Sequence, residues 1–288
     1  MDKLIQLIAA GLVSGAIYSL IATGYAVLYT ATGFVNFALG AQAMLGGYIA
    51  YIFFPDLPLA VRLLLSVVVS AGLGVAAWNL MYRRAAQRDM LAAVIMSFGV
   101  SIVLEELVRL REGSASLRAP TPFGRGVHEW GPLTISNHSL GVLVVSGILF
   151  VVLIRAFSSK QGAAVRAMFQ DNEMAEVLGI RTKRITSALF LLSGAFAAVA
   201  GILAGPILSL SPFIGLNLAL IGFVGAVLGG LGRVGTAIAG GLLLGLLEAG
   251  FAGYISADFR SALVYLMFVV VIIVRPVGLL GRVARVKV

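Results

Sequence analysis

Nine stretches of this chain are apolar enough to lie within a lipid bilayer, and no other feature constrains the fold as tightly. They fall at 4–29, 36–54, 59–82, 90–110, 140–157, 185–203, 216–231, 236–251 and 263–274. A helix satisfies its own backbone polar groups and needs roughly 20 apolar residues to cover about 30 Å of hydrocarbon. A chain of 288 residues therefore has room for about eight to ten such helices with short connections. A membrane barrel would instead show short alternating segments. Composition agrees, with 60% hydrophobic and 11% charged residues and a mean hydropathy of +1.04, outside the range of water-soluble domains. The expected fold class is an all-α integral membrane protein, a polytopic helical bundle forming one domain over 1–288.

The net charge of +9 is carried by loops beside apolar spans, not by a separate basic domain. That placement points to the lipid bilayer as partner and away from nucleic acid. Alternating the direction of the spans gathers Arg83, Arg84, Arg88, the segment 155–184, Arg233 and the tail 275–287 on one side. By the positive-inside rule that side is cytoplasmic, with the N-terminus outside and the C-terminus inside. The first span follows Met1-Asp2-Lys3 directly and is longer than a signal-peptide core, so it is expected to be retained. Absence of cysteine excludes disulfides, thiolate metal sites and iron–sulfur clusters.

The longest polar run, 158–184, lies between two apolar blocks. Within it 170–180 reads as a short amphipathic helix with its own start and stop. Asp171 can cap free amides, Glu173 suits the positive end of the helix dipole, and Gly179 can adopt the left-handed stop. Met174, Ala175 and Leu178 are expected on one face. A membrane protein that builds such a helix on its aqueous side has a surface for a partner.

An internal repeat is visible when Val13-Ser14-Gly15-Ala16 is set beside Leu192-Ser193-Gly194-Ala195, and Asn36-Phe37-Ala38-Leu39 beside Asn217-Leu218-Ala219-Leu220. Met44-Leu45-Gly46-Gly47 and Val227-Leu228-Gly229-Gly230 continue it in order. An odd number of spans separates the copies, 1–110 and 185–288, so they would cross the membrane in opposite directions. Chance agreement in a Gly/Ala/Leu-rich chain is the competing explanation. Between the copies lie the outer loop 111–139 and the segment 158–184.

Most of the 35 glycines fit close helix packing in lipid. Those near Asn36, Gln42 and Asn217 flank helix starts, where discontinuous helices could line a path for a polar solute, and these three residues are the pathway candidates. Glu105 lies one turn from Arg109 and Glu106 beside it, which suggests a surface ion pair. Glu248 and Arg155 lie near span ends and are expected to reach the interface. His128 and His138 fall in the outer loop, so no intramembrane histidine pair can ligate haem. The outer loop is either a solvated turn or, through Arg118 and Arg125, a docking rim for an extracytoplasmic protein. No mid-membrane acidic or histidine relay, Walker A sequence, nucleophile motif or acidic metal cluster is present. The chain is therefore expected to be non-catalytic, without a metal site, and powered from elsewhere.

Several stretches together resemble one family. Residues 11–20 (Gly-Leu-Val-Ser-Gly-Ala-Ile-Tyr-Ser-Leu), then Gly24-Tyr25 and Asn36-Phe37-Ala38-x-Gly40, open as do the LivH-like permeases of bacterial branched-chain amino acid ABC importers. Arg166-Ala167-x-x-Gln170-Asp171 and Glu173-x-Ala175-x-x-x-Gly179-Ile180 resemble that family's cytoplasmic segment, and the similarity runs along nearly the whole chain. The resemblance implies an inner-membrane importer subunit working with a second, LivM-like permease, two cytosolic ABC ATPase subunits and a periplasmic substrate-binding protein. ATP and Mg are then expected in the ATPases, with no cofactor bound by this chain. It also implies an ATPase-coupling role for Arg166, Gln170, Asp171, Glu173, Met174, Ala175, Leu178 and Gly179, with Met174 standing where the general motif has a second Ala. Related permeases are expected to carry other amino acids, urea or small carboxylates, so the resemblance implies the mechanism more closely than the substrate. A stand-alone secondary carrier or channel is the alternative, and a membrane scaffold without a pathway is a third reading.

Overall fold

A computed structural model describes residues 2–124, 126–131, 133–275 and 278–280. Its helices are α1 (Asp2–Thr32), α2 (Ala38–Tyr48) with a π-helical turn Ile49–Phe53, and α3 (Leu59–Ala77) with a π-helical turn Trp78–Tyr82 and a last turn α4 (Arg83–Ala86). There follow α5 (Met90–Glu112), α6 (Asn137–Ser158), α7 (Lys160–Gln170), α8 (Asn172–Val177), α9 (Thr182–Leu208), α10 (Ile214–Gly229), α11 (Val234–Tyr254) and α12 (Arg260–Val274). Every predicted span is a helix. Six are long and apolar enough to cross a bilayer, and three are shorter, Ala38–Phe53, Ile214–Gly229 and Arg260–Val274. The protein is a multi-pass all-α membrane protein.

The radial pattern is that of a lipid-solvated bundle. α3 buries Ser66, Ser70 and Gly74 while Leu64 and Val68 face outward, and α5 buries Ala93, Ser97 and Ser101 while Ile95, Ile102 and Leu107 face outward. Lipid solvates large apolar side chains as well as a protein core does, so the interior goes to small residues and hydroxyls that let backbones close up. The buried hydroxyls bond between helices. Ser66 Oγ donates to the Gly46 carbonyl (2.7 Å), Ser19 Oγ to Ile238 (2.7 Å) and Ser193 Oγ to Gly24 (3.1 Å).

α1 and α9 form the centre. In α9, 72% of the apolar window is buried, against 22% in α3, α5 and α6, so the last three are peripheral. The two central helices make matching contacts. A Cβ on Gly15 would lie 2.9 Å from the Leu242 Cα of α11, and one on Gly194 would lie 3.1 Å from the Ala71 Cα of α3. Likewise, a Cβ on Gly225 of α10 would lie 3.4 Å from the Ala22 Cβ of α1, while one on Gly201 of α9 would lie 1.7 Å from the Ala43 carbonyl of α2.

Between α5 and α6 the chain makes a hairpin that the sequence did not disclose, β1 (Val127–Trp130) antiparallel to β2 (Leu133–Ser136) with Val127 opposite Ser136. Its edge is tied to α1 by the Gln6 side-chain amide, which donates to the Thr134 carbonyl (2.9 Å) and accepts from its N–H (3.1 Å). The expected loop to residue 139 ends earlier. Ser136 caps α6, and His138 is buried in its first turn with Nε2 3.0 Å from the Leu203 carbonyl. That contact and a hydroxyl from Tyr51 serve the end of α9, where Pro206 cannot donate to the carbonyl of Ile202. Tyr51 supplies the missing bond at 2.9 Å.

Candidate functional site

The polar segment is built as two short helices at one end of the bundle. Ser159 caps α7, its Oγ accepting from Gly162 N at 3.3 Å. Asp171 caps α8, its Oδ1 accepting from Met174 N at 2.9 Å. α8 stops in a Schellman arrangement, in which Ile180 N donates to Ala175 O and Gly179 N to Glu176 O, both at 3.0 Å, with Gly179 at φ +81°. The residue types predicted to start and stop this helix do so.

Ala175 does not share the outer face with Met174 and Leu178, as its spacing had suggested. It is 2% exposed, whereas Met174, Val177 and Leu178 are 55%, 81% and 71% exposed. In a helix of under two turns, the inward side is set by what the helix rests on, and the small methyl fits where a long chain would not. The outward apolar surface is therefore Met174, Val177 and Leu178, with exposed Phe169 at the end of α7. Spacing singled out neither Phe169 nor Val177; their cue is that they are large apolar residues in the most polar stretch of the chain. Arg166, Gln170 and Glu173 are exposed beside this surface, and Arg166 donates to the Phe157 carbonyl. Glu176, although exposed, accepts from the Thr182 hydroxyl at the first residue of α9, so α8 is bonded directly to a central helix.

The three pathway candidates occupy different settings. Asn36 is buried at the start of α2, where its Oδ1 accepts from Ala38 N (3.2 Å) and Ser97 Oγ accepts from Phe37 N (3.0 Å). Its Nδ2 and the Oε1 of buried Gln42 have no hydrogen-bond partner among the described residues. Asn217 is exposed and lies one turn inside α10. Near the start of α10, Glu105 Oε1 would be 3.0 Å from a Cβ on Gly215 and accepts from Ser101 Oγ (3.2 Å). Glu105 is not the partner of Arg109. That guanidinium grips Glu106, with Nε at 2.7 Å from Oε2, because three residues' separation brings the pair together on the outer surface.

Glu248 departs from its expected place at the interface. It is 3% exposed and paired with Arg260, whose Nη2 also donates to the Tyr18 hydroxyl at 3.2 Å. The cation comes from the first residue of α12. At the same end, Arg118 is exposed beside a backbone bridge between Leu117 and Leu210. Arg125 lies outside the described residues.

Residues 7–272 match the family model of the branched-chain amino acid transport system permease component. The chain belongs to this permease family. It is 31% identical to the high-affinity branched-chain amino acid transport system permease protein LivH of Escherichia coli K12, over 94% of each chain. It is equally similar to LivH of Salmonella typhimurium. With BraD of Pseudomonas aeruginosa the identity is 32% over 96% of each chain. The matched residues include the whole of α7 and α8.

Proposed function

We propose that this permease is the membrane-spanning, non-catalytic subunit of an ATP-driven importer for branched-chain or related amino acids in the bacterial inner membrane. Its partners are a second, LivM-like permease, two cytosolic ABC ATPase subunits and a periplasmic binding protein, and ATP and Mg belong to the ATPases. The observation that carries this reading is the apolar surface of Met174, Val177 and Leu178 at an aqueous end of a membrane permease. Exposed apolar groups there call for a protein cover. The segment 158–184 is then cytoplasmic, the N-terminus is outside, and the binding protein docks on the outer loop through Arg118, with Arg125 as the second cation that the sequence offers it.

The matching contacts of α1 with α9 support a two-fold relation between 1–110 and 185–288. In such an architecture the short helices α2 and α10 are equivalent, and Asn36, Gln42 and Asn217 lie along the path. Closure of the ATPase dimer pushes α8, and the Glu176–Thr182 bond passes that motion to α9.

Replacing Val177 and Leu178 with Asp tests this proposal. It is expected to abolish co-purification of the ATPases and to lower ATP-driven uptake more than about ten-fold, while membrane insertion is unchanged. Full retention of the ATPases with normal uptake would sink it, as would uptake by the lone purified chain in nucleotide-free liposomes.

A further inference from the structure

At the end of the bundle that carries α7 and α8, a cavity of about 410 Å³ opens between α1, α6, α7 and the turn from α10 to α11. Its wall has two kinds of surface. Ile154, Phe157, Val165 and Phe169 supply an apolar side, and Arg166 and Arg233 supply cations. α6 ends at Ser158 and α11 begins at Val234, so the cavity lies at the level where the helices leave the hydrocarbon.

Both guanidinium groups retain free capacity. Among the described residues no carboxylate lies within ion-pair distance of either. Arg166 gives an N–H to the Phe157 carbonyl, which leaves its other donors, and Arg233 is exposed at the start of α11 without capping it. Space is open in front of α11 as well, for a Cβ placed on Gly235 would meet no heavy atom within 4 Å.

We infer that this cavity binds an anionic phospholipid, its phosphate between Arg233 and Arg166 and its first methylenes along Ile154, Phe157, Val165 and Phe169. A small cytosolic anion has no use for the apolar wall, and a neutral acyl chain has none for the arginines. A phospholipid at the membrane boundary matches both, and basic pockets between helices at the cytoplasmic surface are suited to acidic headgroups. The cavity volume is within the range of small-ligand sites. The inference goes beyond transport itself; only the leaflet rests on the proposed orientation.

The test is native mass spectrometry of the purified transporter complex, with phosphatidylglycerol or phosphatidylcholine added in equal amount. Phosphatidylglycerol is expected to stay bound at collision energies that strip phosphatidylcholine. Arg233→Gln removes one cation and is expected to lower that retention about five-fold. Gly235→Phe fills the cavity from its open side, keeps both arginines, and is expected to do the same. Millimolar inorganic phosphate is expected not to displace the lipid. Equal retention of the two lipids, or retention unaffected by both substitutions, overturns the inference. So does displacement by phosphate, which marks a free-anion site, and so does a photo-crosslinker at position 235 that captures a partner subunit and no lipid.

Discussion

Single side chains here are decided by what surrounds them in three dimensions. Gly201 and Gly72 look alike in the sequence, both small residues in apolar helices. A Cβ on Gly201 would fall 1.7 Å from the Ala43 carbonyl, whereas one on Gly72 would meet nothing within 4 Å. Gly201→Ala is therefore expected to destabilise the permease by about 3 kcal/mol or more, and Gly72→Ala to change it by under about 1 kcal/mol. Thermal unfolding of the purified variants in detergent separates the two. Arg260 offers a second contrast. Arg260→Ala leaves Glu248 buried without its cation and is expected to cost about 2–4 kcal/mol, whereas the double variant Arg260→Gln/Glu248→Gln recovers much of that loss in the same assay. The sequence showed both residues but not the pair, since they belong to different helices and meet through the tertiary fold.

At the scale of elements, the end of α9 shows how one helix depends on another. Pro206 leaves the Ile202 carbonyl without its helical donor, and the Tyr51 hydroxyl of α2's π-helical turn takes that place. Tyr51→Phe is expected to cost about 1–2 kcal/mol in the native chain and less in a Pro206→Ala background, where the restored N–H serves the carbonyl. A double-mutant cycle on thermal stability measures the difference. The short helix α8 was legible because caps are local: Asp171 and Gly179 act on amides and carbonyls within a few residues. The inward turn of Ala175 was not, because it is fixed by the body beneath the helix. The hairpin 127–136 was equally hidden, its edge held by Gln6 more than a hundred residues away.

For the whole molecule, the absence of cysteine makes orientation directly measurable. With Arg118→Cys and Glu173→Cys introduced singly, an impermeant maleimide is expected to label the first from outside intact spheroplasts and the second only after the membrane is opened; the reverse result would overturn the proposed topology. The sequence by itself determined the class of fold, the nine apolar helices, the caps of α8 and the family. Those follow from hydropathy, from local hydrogen bonding and from motifs contiguous in the chain. Tertiary structure alone decided which helices are central, that Glu248 is sealed with Arg260 and Tyr18, that Glu106 takes Arg109, and that Asn36 is buried while Asn217 is exposed. In lipid both faces of a helix are apolar, so hydropathy carries no record of which face packs. That information resides in small residues and hydroxyls, whose roles appear only when the helix opposite them is in place.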